Sequence, residues 1–488
     1  MALRPKVLGS GSEPSPADGS ATAEYGRLAS FLAVGVGLTG LITYAYFLIA
    51  SHVLSKPDYG QITVLWSAVF ITISTLYRPV EQLLSRHISE RLVKREPIGQ
   101  PMRVAATIQL GLAAFFAVVA LVLRGPIQDN LLEGNETLYW VFFGAVLFYA
   151  ASYFARGFLA GARRFGLFTA LILSESVFRT SFAVLVAVSL LEGQSAVAIG
   201  IVAAPSLSLM VVPLAFLRRA QKEKQGTPGM PGREAEEKSS SDSDRNLTPS
   251  ELDEDFSLKK GTGFAAAVLV IMFSEQAFLN AGPLIARGLQ GAAAAGFIFN
   301  VLMIARAPLQ LFQAVSTSIL PHLTSLHTST EPDSEREFHR SVRMVLLGIA
   351  AFTGVAFIAM AIAGPTLMQI AFSKKFSYDR EGLLLVTVGM GLYLCSVTVN
   401  QACLAQGQVR RAAARWIGCA ALFIAWNFVP LVSNEFRRVE VGFALTAGVL
   451  FGLLFLIYRR PHERAEDVPK AGSAEELEAR LATIDESV

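Results

Sequence analysis

Twelve apolar stretches follow one another along this chain, each close to or longer than the ~20 residues a helix needs to cross a bilayer. They run approximately over 28–52, 59–84, 104–124, 138–162, 167–191 and 195–217, then over 261–286, 292–320, 342–372, 382–406, 412–433 and 440–458. Hydrocarbon offers no partner to an open backbone, so stretches of this kind are read as helices. Composition agrees: 52% of the residues are hydrophobic and 17% charged, where the usual charged share is about a quarter. The expected fold class is all-α, an integral membrane protein of twelve transmembrane helices in two six-helix bundles.

Between the apolar stretches the composition changes. Residues 1–24, rich in Gly, Ser, Pro and Ala, read as a disordered cytoplasmic tail. Residues 25–217 form the first bundle and 261–459 the second. The segment 218–260 opens with Arg218-Arg219, closes with Lys259-Lys260 and reads as a flexible charged linker. Residues 460–488 read as a second cytoplasmic tail. With the N-terminus inside, thirty of the 42 lysines and arginines fall in inner segments and eight in outer loops. This excess predicts a multi-pass cell-membrane protein with both termini in the cytoplasm.

The two halves echo each other. Placing Gly60 on Gly296 puts Ser85 on Pro321 without a gap, and Phe158-Leu-Ala-Gly161 followed by Arg163-Arg164 matches Cys403-Leu-Ala-Gln-Gly407 followed by Arg410-Arg411. Six spans per half is an even number, so the repeat is parallel, about an axis along the membrane normal. Ser85 in place of Pro321 leaves the bend of span two open.

Charges inside spans are costly and mark paths or buried pairs. Here they are Arg78 and Glu81, Arg156, Glu175 and Arg179, Glu275 and Arg306. The spacings of Arg78 with Glu81 and of Glu175 with Arg179 place each pair on one helix face, where they either neutralise each other or face a path. Arg78 and Arg156 sit near span ends and can snorkel. Arg179, Glu275 and Arg306 fall near mid-span, where a transporter built of two halves places its substrate. Arg306 is also a candidate static partner for Glu275. Asn280, Asn300, Gln310, Gln313, Asn400 and Gln401 add polar groups, and Tyr44, Tyr46 and Tyr77 are read as packing.

Other chemistries find no support. Cys395, Cys403 and Cys419 have neither disulfide nor zinc spacing. There is no Gly-rich phosphate loop, and the outer loops are too short for a catalytic domain. No cofactor and no enzymatic activity are expected. The basic runs read as orientation signals and contacts to the lipid bilayer, not to nucleic acid.

The layout of span eight, Gly296 through Pro308 to Ser318-Ile-Leu-Pro321-His-Leu, together with Arg156-Gly-Phe-Leu-Ala-Gly161-Ala-Arg-Arg164-Phe165, resembles the O-antigen-type polysaccharide flippases of the multidrug/oligosaccharidyl-lipid/polysaccharide exporter superfamily. The resemblance implies alternating access of two bundles, with a polyprenyl-pyrophosphate-linked oligosaccharide turned across the plasma membrane. A polysaccharide polymerase and glycosyltransferases would be its partners. Arg179, Arg306, Arg78, Asn280 and Asn300 would then bind substrate, because arginine matches phosphate oxygens bidentately. Glu275 and Glu175 would couple to a proton or sodium ion. The alternative is a multidrug or cation antiporter of the same superfamily, and more distantly a membrane glycosyltransferase or polymerase. A topology reporter fused within 225–245, or at the C-terminus, is expected to report a cytoplasmic location; an outer signal at either place contradicts the twelve-span orientation.

Overall fold

The computed structural model describes residues 16–94, 96–210, 258–303, 334–376 and 378–459. Among them there is no strand. The helices are α1 (Pro16–Val53), α2 (Lys56–Leu76), α3 (Arg78–Lys94), α4 (Gly99–Val122), α5 (Glu136–Gly161), α6 (Phe165–Ala187), α7 (Gly193–Ser208), α8 (Leu258–Gln290), α9 (Ala292–Met303), α10 (Ser334–Phe372), α11 (Arg380–Ala405), α12 (Val409–Phe428) and α13 (Glu435–Tyr458), with a π-turn at Pro126–Leu131. Each of the twelve apolar stretches carries a helix. Among the described residues nine helices are long and apolar enough to span, counting α2 and α3 as one, and α7 and α9 are shorter. Helix α12 carries Arg410, Arg411 and Arg415 near its start.

Helical backbone begins at Pro16, inside the stretch read as a disordered tail; a proline in the first turn costs no helical hydrogen bond. The linker lies outside the described residues except for its last three, which open α8. Span two does bend, between α2 and α3 at Tyr77. Pro79 is the cause, since it has no amide to give the carbonyl four residues back.

The packing repeats. Helix α1 lies on α6, α6 on α7, α5 on α7 and α4 on α5; in the second half α8 lies on α12, α12 on α13, α11 on α13 and α10 on α11. The turns after α5 and α11 have the same hydrogen bonds: Arg163 N to the Ala160 carbonyl and Arg164 N to that of Leu159, Gly407 N to Leu404 and Gln408 N to Cys403. The residue at positive φ is Arg163 in one and Gly407 in the other. This register differs by one residue from the match read in the sequence.

Two close approaches of backbone hold the bundles. Within the first, Gly157 and Gly161 of α5 let the helix rest on the backbone of Glu81 and Ser85 in α3, and a Cβ on either glycine would come within 2.8 Å of a carbonyl oxygen. Small residues four apart serve helix contacts of this kind in membranes. Between the halves, Gly60 of α2 faces the Ala292 carbonyl at 1.8 Å from where its Cβ would stand, and a Cβ on Gly296 would meet the Gly60 Cα at 3.3 Å. A valine at Gly60 is expected to cost ~1–3 kcal/mol by overpacking and to lower the melting temperature in detergent. Alanine at Gly111, which has no neighbour within 4 Å of its Cβ position, should leave it unchanged or raise it.

Candidate functional site

Above the Gly60–Gly296 crossing, at the end opposite the chain termini, the halves are latched. The Tyr59 hydroxyl donates to Asn300 Oδ1, and Asn300 Nδ2 donates to the Tyr378 hydroxyl at 2.8 Å. All three side chains are buried. Lys375 Nζ caps the end of α1, donating to the carbonyls of His52 at 2.9 Å and Leu54 at 2.8 Å, where a cation also complements the helix dipole. Rings close the rest of the seam: Tyr44 on Phe372, Phe47 on Phe299 and Tyr59 on Phe376. Of these groups only Asn300 and Tyr44 stood out in the sequence, because aromatic residues in apolar helices carry no mark of which face meets the other half.

The same seam carries charge. Glu275 of α8 is half-buried, and its charged neighbour among the described residues is Arg78, from the other half at the α2–α3 bend. Arg78 also acts on Glu81. Arg306, the partner expected for Glu275, lies outside the described residues, as do Gln310 and Gln313.

The other charges are gathered inside the first bundle. Glu175, 3% exposed, is ion-paired with Arg156 of α5 and not with Arg179. The Tyr149 hydroxyl stands near the same carboxylate. Arg179, 4% exposed, instead directs Nη2 to the Thr43 hydroxyl at 2.7 Å and Nη1 to the Tyr149 hydroxyl at 3.5 Å. Its guanidinium lies 4.5 Å from the Trp66 ring centroid and 5.8 Å from that of Tyr46, a desolvated cation–π site. The helical spacing that suggested a Glu175–Arg179 pair is real, but α5 brings a second arginine to the carboxylate and Trp66 draws the first away. Arg156 does not snorkel; it lies over Tyr153 at 4.7 Å and ends on Glu175. Both arginines keep a buried Nε with no partner.

Among the described residues the second half carries its buried charges elsewhere, at the start of α13, where Arg437 pairs with Glu440, Asp379 and Glu381 and the buried Arg438 donates to the Val432 carbonyl. Counting from the matched turns, Asn400 stands level with Arg156, Cys419 with Glu175 and Phe423 with Arg179. There Asn400 accepts from Trp416 Nε1 at 3.0 Å, among the rings of Phe278, Tyr393 and Phe423. Asn280 turns back on its own helix, to the Gln276 carbonyl and side chain at 3.2 Å. The cysteines are free, as expected. Tyr46 donates to the Val197 carbonyl at 3.1 Å, while the Tyr77 hydroxyl is buried without a partner.

Comparison with known proteins decides the fold. No family model and no curated protein matches the chain. Among solved structures, an inward-facing multidrug resistance MATE family transporter of the MOP superfamily aligns with a TM-score of 0.62 at 13% identity, covering 88% of this chain and 97% of that one. The fold is that of the MATE transporters. A MATE protein in the bent conformation aligns at 0.55 and 13% identity, covering 89% and 94%. An outward-facing MATE family transporter aligns at 0.53 and 15% identity, again covering 89% and 94%. The MATE-type fold accounts for two bundles related by a parallel repeat.

Removing one member of the Arg156–Glu175 pair strands a buried charge, which costs about 3–5 kcal/mol. Glu175→Leu and Arg156→Met are each expected to be strongly destabilising in thermal unfolding, and the double variant less so than either. Pairing Glu175→Leu with Arg179→Met should bring no such recovery.

Proposed function

We propose that the chain is a secondary exporter that works by alternating access of its two bundles, and that it is a multidrug or cation antiporter. The MATE-type fold supports this reading better than a polysaccharide flippase, and so does the placement of Arg179. A diphosphate held between the halves needs cations facing the seam, whereas among the described residues the hydrogen-bond and ring partners of Arg179 come from the first bundle. The observation that carries the proposal is Glu275, a half-buried carboxylate beside the seam with Arg78 across it. Buried ionisable groups on a transport path are where ions and solutes exchange. A cationic solute and the coupling proton or sodium ion would compete for this carboxylate, with Arg78 holding it when both have left. Asn280 and Asn300 belong to the same seam-forming helices, α8 and α9. Glu175, paired with Arg156 and near Tyr149, is a second coupling candidate within the first bundle.

The flippase reading keeps one specific support. Arg156 and Arg179 each hold a buried Nε donor without a partner, and an arginine fork matches phosphate oxygens. On this reading the cell-membrane chain moves a polyprenyl-pyrophosphate-linked oligosaccharide from the cytoplasmic leaflet and works beside a polysaccharide polymerase and glycosyltransferases, with Arg306 completing the phosphate site.

The two readings separate in proteoliposomes and in cells. The antiporter is expected to move ethidium against an imposed proton or sodium gradient, and Glu275→Gln to lower that flux about tenfold or more while the protein still melts normally. Unaltered flux in Glu275→Gln removes the assigned role. No gradient-driven ethidium movement by the unmodified protein, together with loss of surface polysaccharide on deletion, favours the flippase.

A further inference from the structure

From the geometry of the α12–α13 groove we infer a binding site for the headgroup of an anionic phospholipid at the end of the bundle that carries the chain termini. A cleft of about 220 Å³ opens there, lined by Arg411 and Arg415 of α12 and by Leu453, Leu456 and Ile457 of α13. The arginines are one helical turn apart on α12, exposed, and among the described residues in no ion pair or hydrogen bond. Three features make this place select for negative charge.

The first is the bare start of α12. Of the helices that begin at the opposite end, α2, α5, α11 and α13 are capped by the side chains of Ser55, Asn135, Asp379 and Asn434, while α7 is not; α4 and α6, which begin at the same end as α12, are uncapped as it is. Helix α12 has no side-chain cap and no acidic residue in its first turn. Its leading amides are open to an anion and its dipole favours one.

The second is that arginines at a helix N-terminus oppose that dipole. Without a carboxylate to offset them, Arg410, Arg411 and Arg415 are unfavourable in the chain alone and become favourable when a phosphate sits between guanidinium and amide.

The third is the shape of the floor. The buried Gln408 side chain donates to Gln406 Oε1 at 3.2 Å and to the Ile457 carbonyl at 3.5 Å. This pins the start of α12 to the end of α13, so the cleft does not depend on a loop. The Ile457 and Phe455 carbonyls also accept from Arg459 N and do not engage the arginines. Leu453, Leu456 and Ile457 then offer an apolar wall below the charges, which suits acyl chains. A soluble anion would have no use for that wall, and charge above apolar surface is the signature of a lipid at the interface.

Native mass spectrometry of the full chain in detergent, titrated with phosphatidylglycerol, phosphatidylcholine or inorganic phosphate, tests the site. Phosphatidylglycerol is expected to be retained over phosphatidylcholine. Arg411→Gln with Arg415→Gln should weaken its retention by about thirtyfold, two surface cations' worth. Leu456→Trp, which fills the cleft and leaves the arginines in place, should weaken it as well and keeps the test open if the double variant folds poorly. Arg86→Gln, an exposed arginine paired with Glu90 elsewhere, should change nothing. Equal retention of the two lipids, an unchanged double variant, or displacement of phosphatidylglycerol by millimolar phosphate overturns the proposal.

Discussion

The two halves of this protein touch where neither has a side chain. Gly60 and Gly296 are counterparts in the repeat, and each lies against the other. At this crossing the two helix backbones come closer than a side chain would allow. Lipid supplies no hydrophobic drive to press helices together, and close packing with a few hydrogen bonds must do so. The crossing provides the first and the Tyr59–Asn300–Tyr378 bridge the second. Neither involves an ion pair; the charged contacts across the halves, Lys375 on the α1 carbonyls and Arg287 with Glu133, join at the same end.

The pseudo-symmetry that shapes the backbone stops at the charges. Arg156, Glu175 and Arg179 fill the first bundle, while Asn400, Cys419 and Phe423 take the level positions of the second. An ion pair in the membrane interior is tolerable only with its remaining donors and acceptors occupied. Tyr149, Thr43, Trp66 and Tyr153 supply most of that company, and at the level positions of the second half aromatic rings pack instead.

The Arg156-Gly-Phe-Leu-Ala-Gly161 run shows how one motif serves two ends. Its glycines seat α5 on the α3 backbone, and its arginine, carried on the same helix, reaches Glu175. The likeness to polysaccharide flippases rested partly on this run. Structurally the glycines of the run are a helix-packing device, which speaks of the fold and not of the substrate.

Helix number, the two halves and the parallel repeat were legible in the chain alone, because burial in hydrocarbon forces apolar length and an even count returns the chain to its starting side. The break at Tyr77 was legible too, through Pro79, though attention to Ser85 hid it. Which charges pair was not. Helical spacing brings Glu175 and Arg179 to one face, but a carboxylate binds whichever guanidinium the neighbouring helices deliver, and that is settled by how α5 and α2 pack. The same holds for Tyr59, Tyr378 and Lys375, ordinary residues until the second half is laid against the first. Sequence by itself determined the helices; only tertiary packing decided the contacts between them, because an apolar helix presents every face alike until a partner selects one.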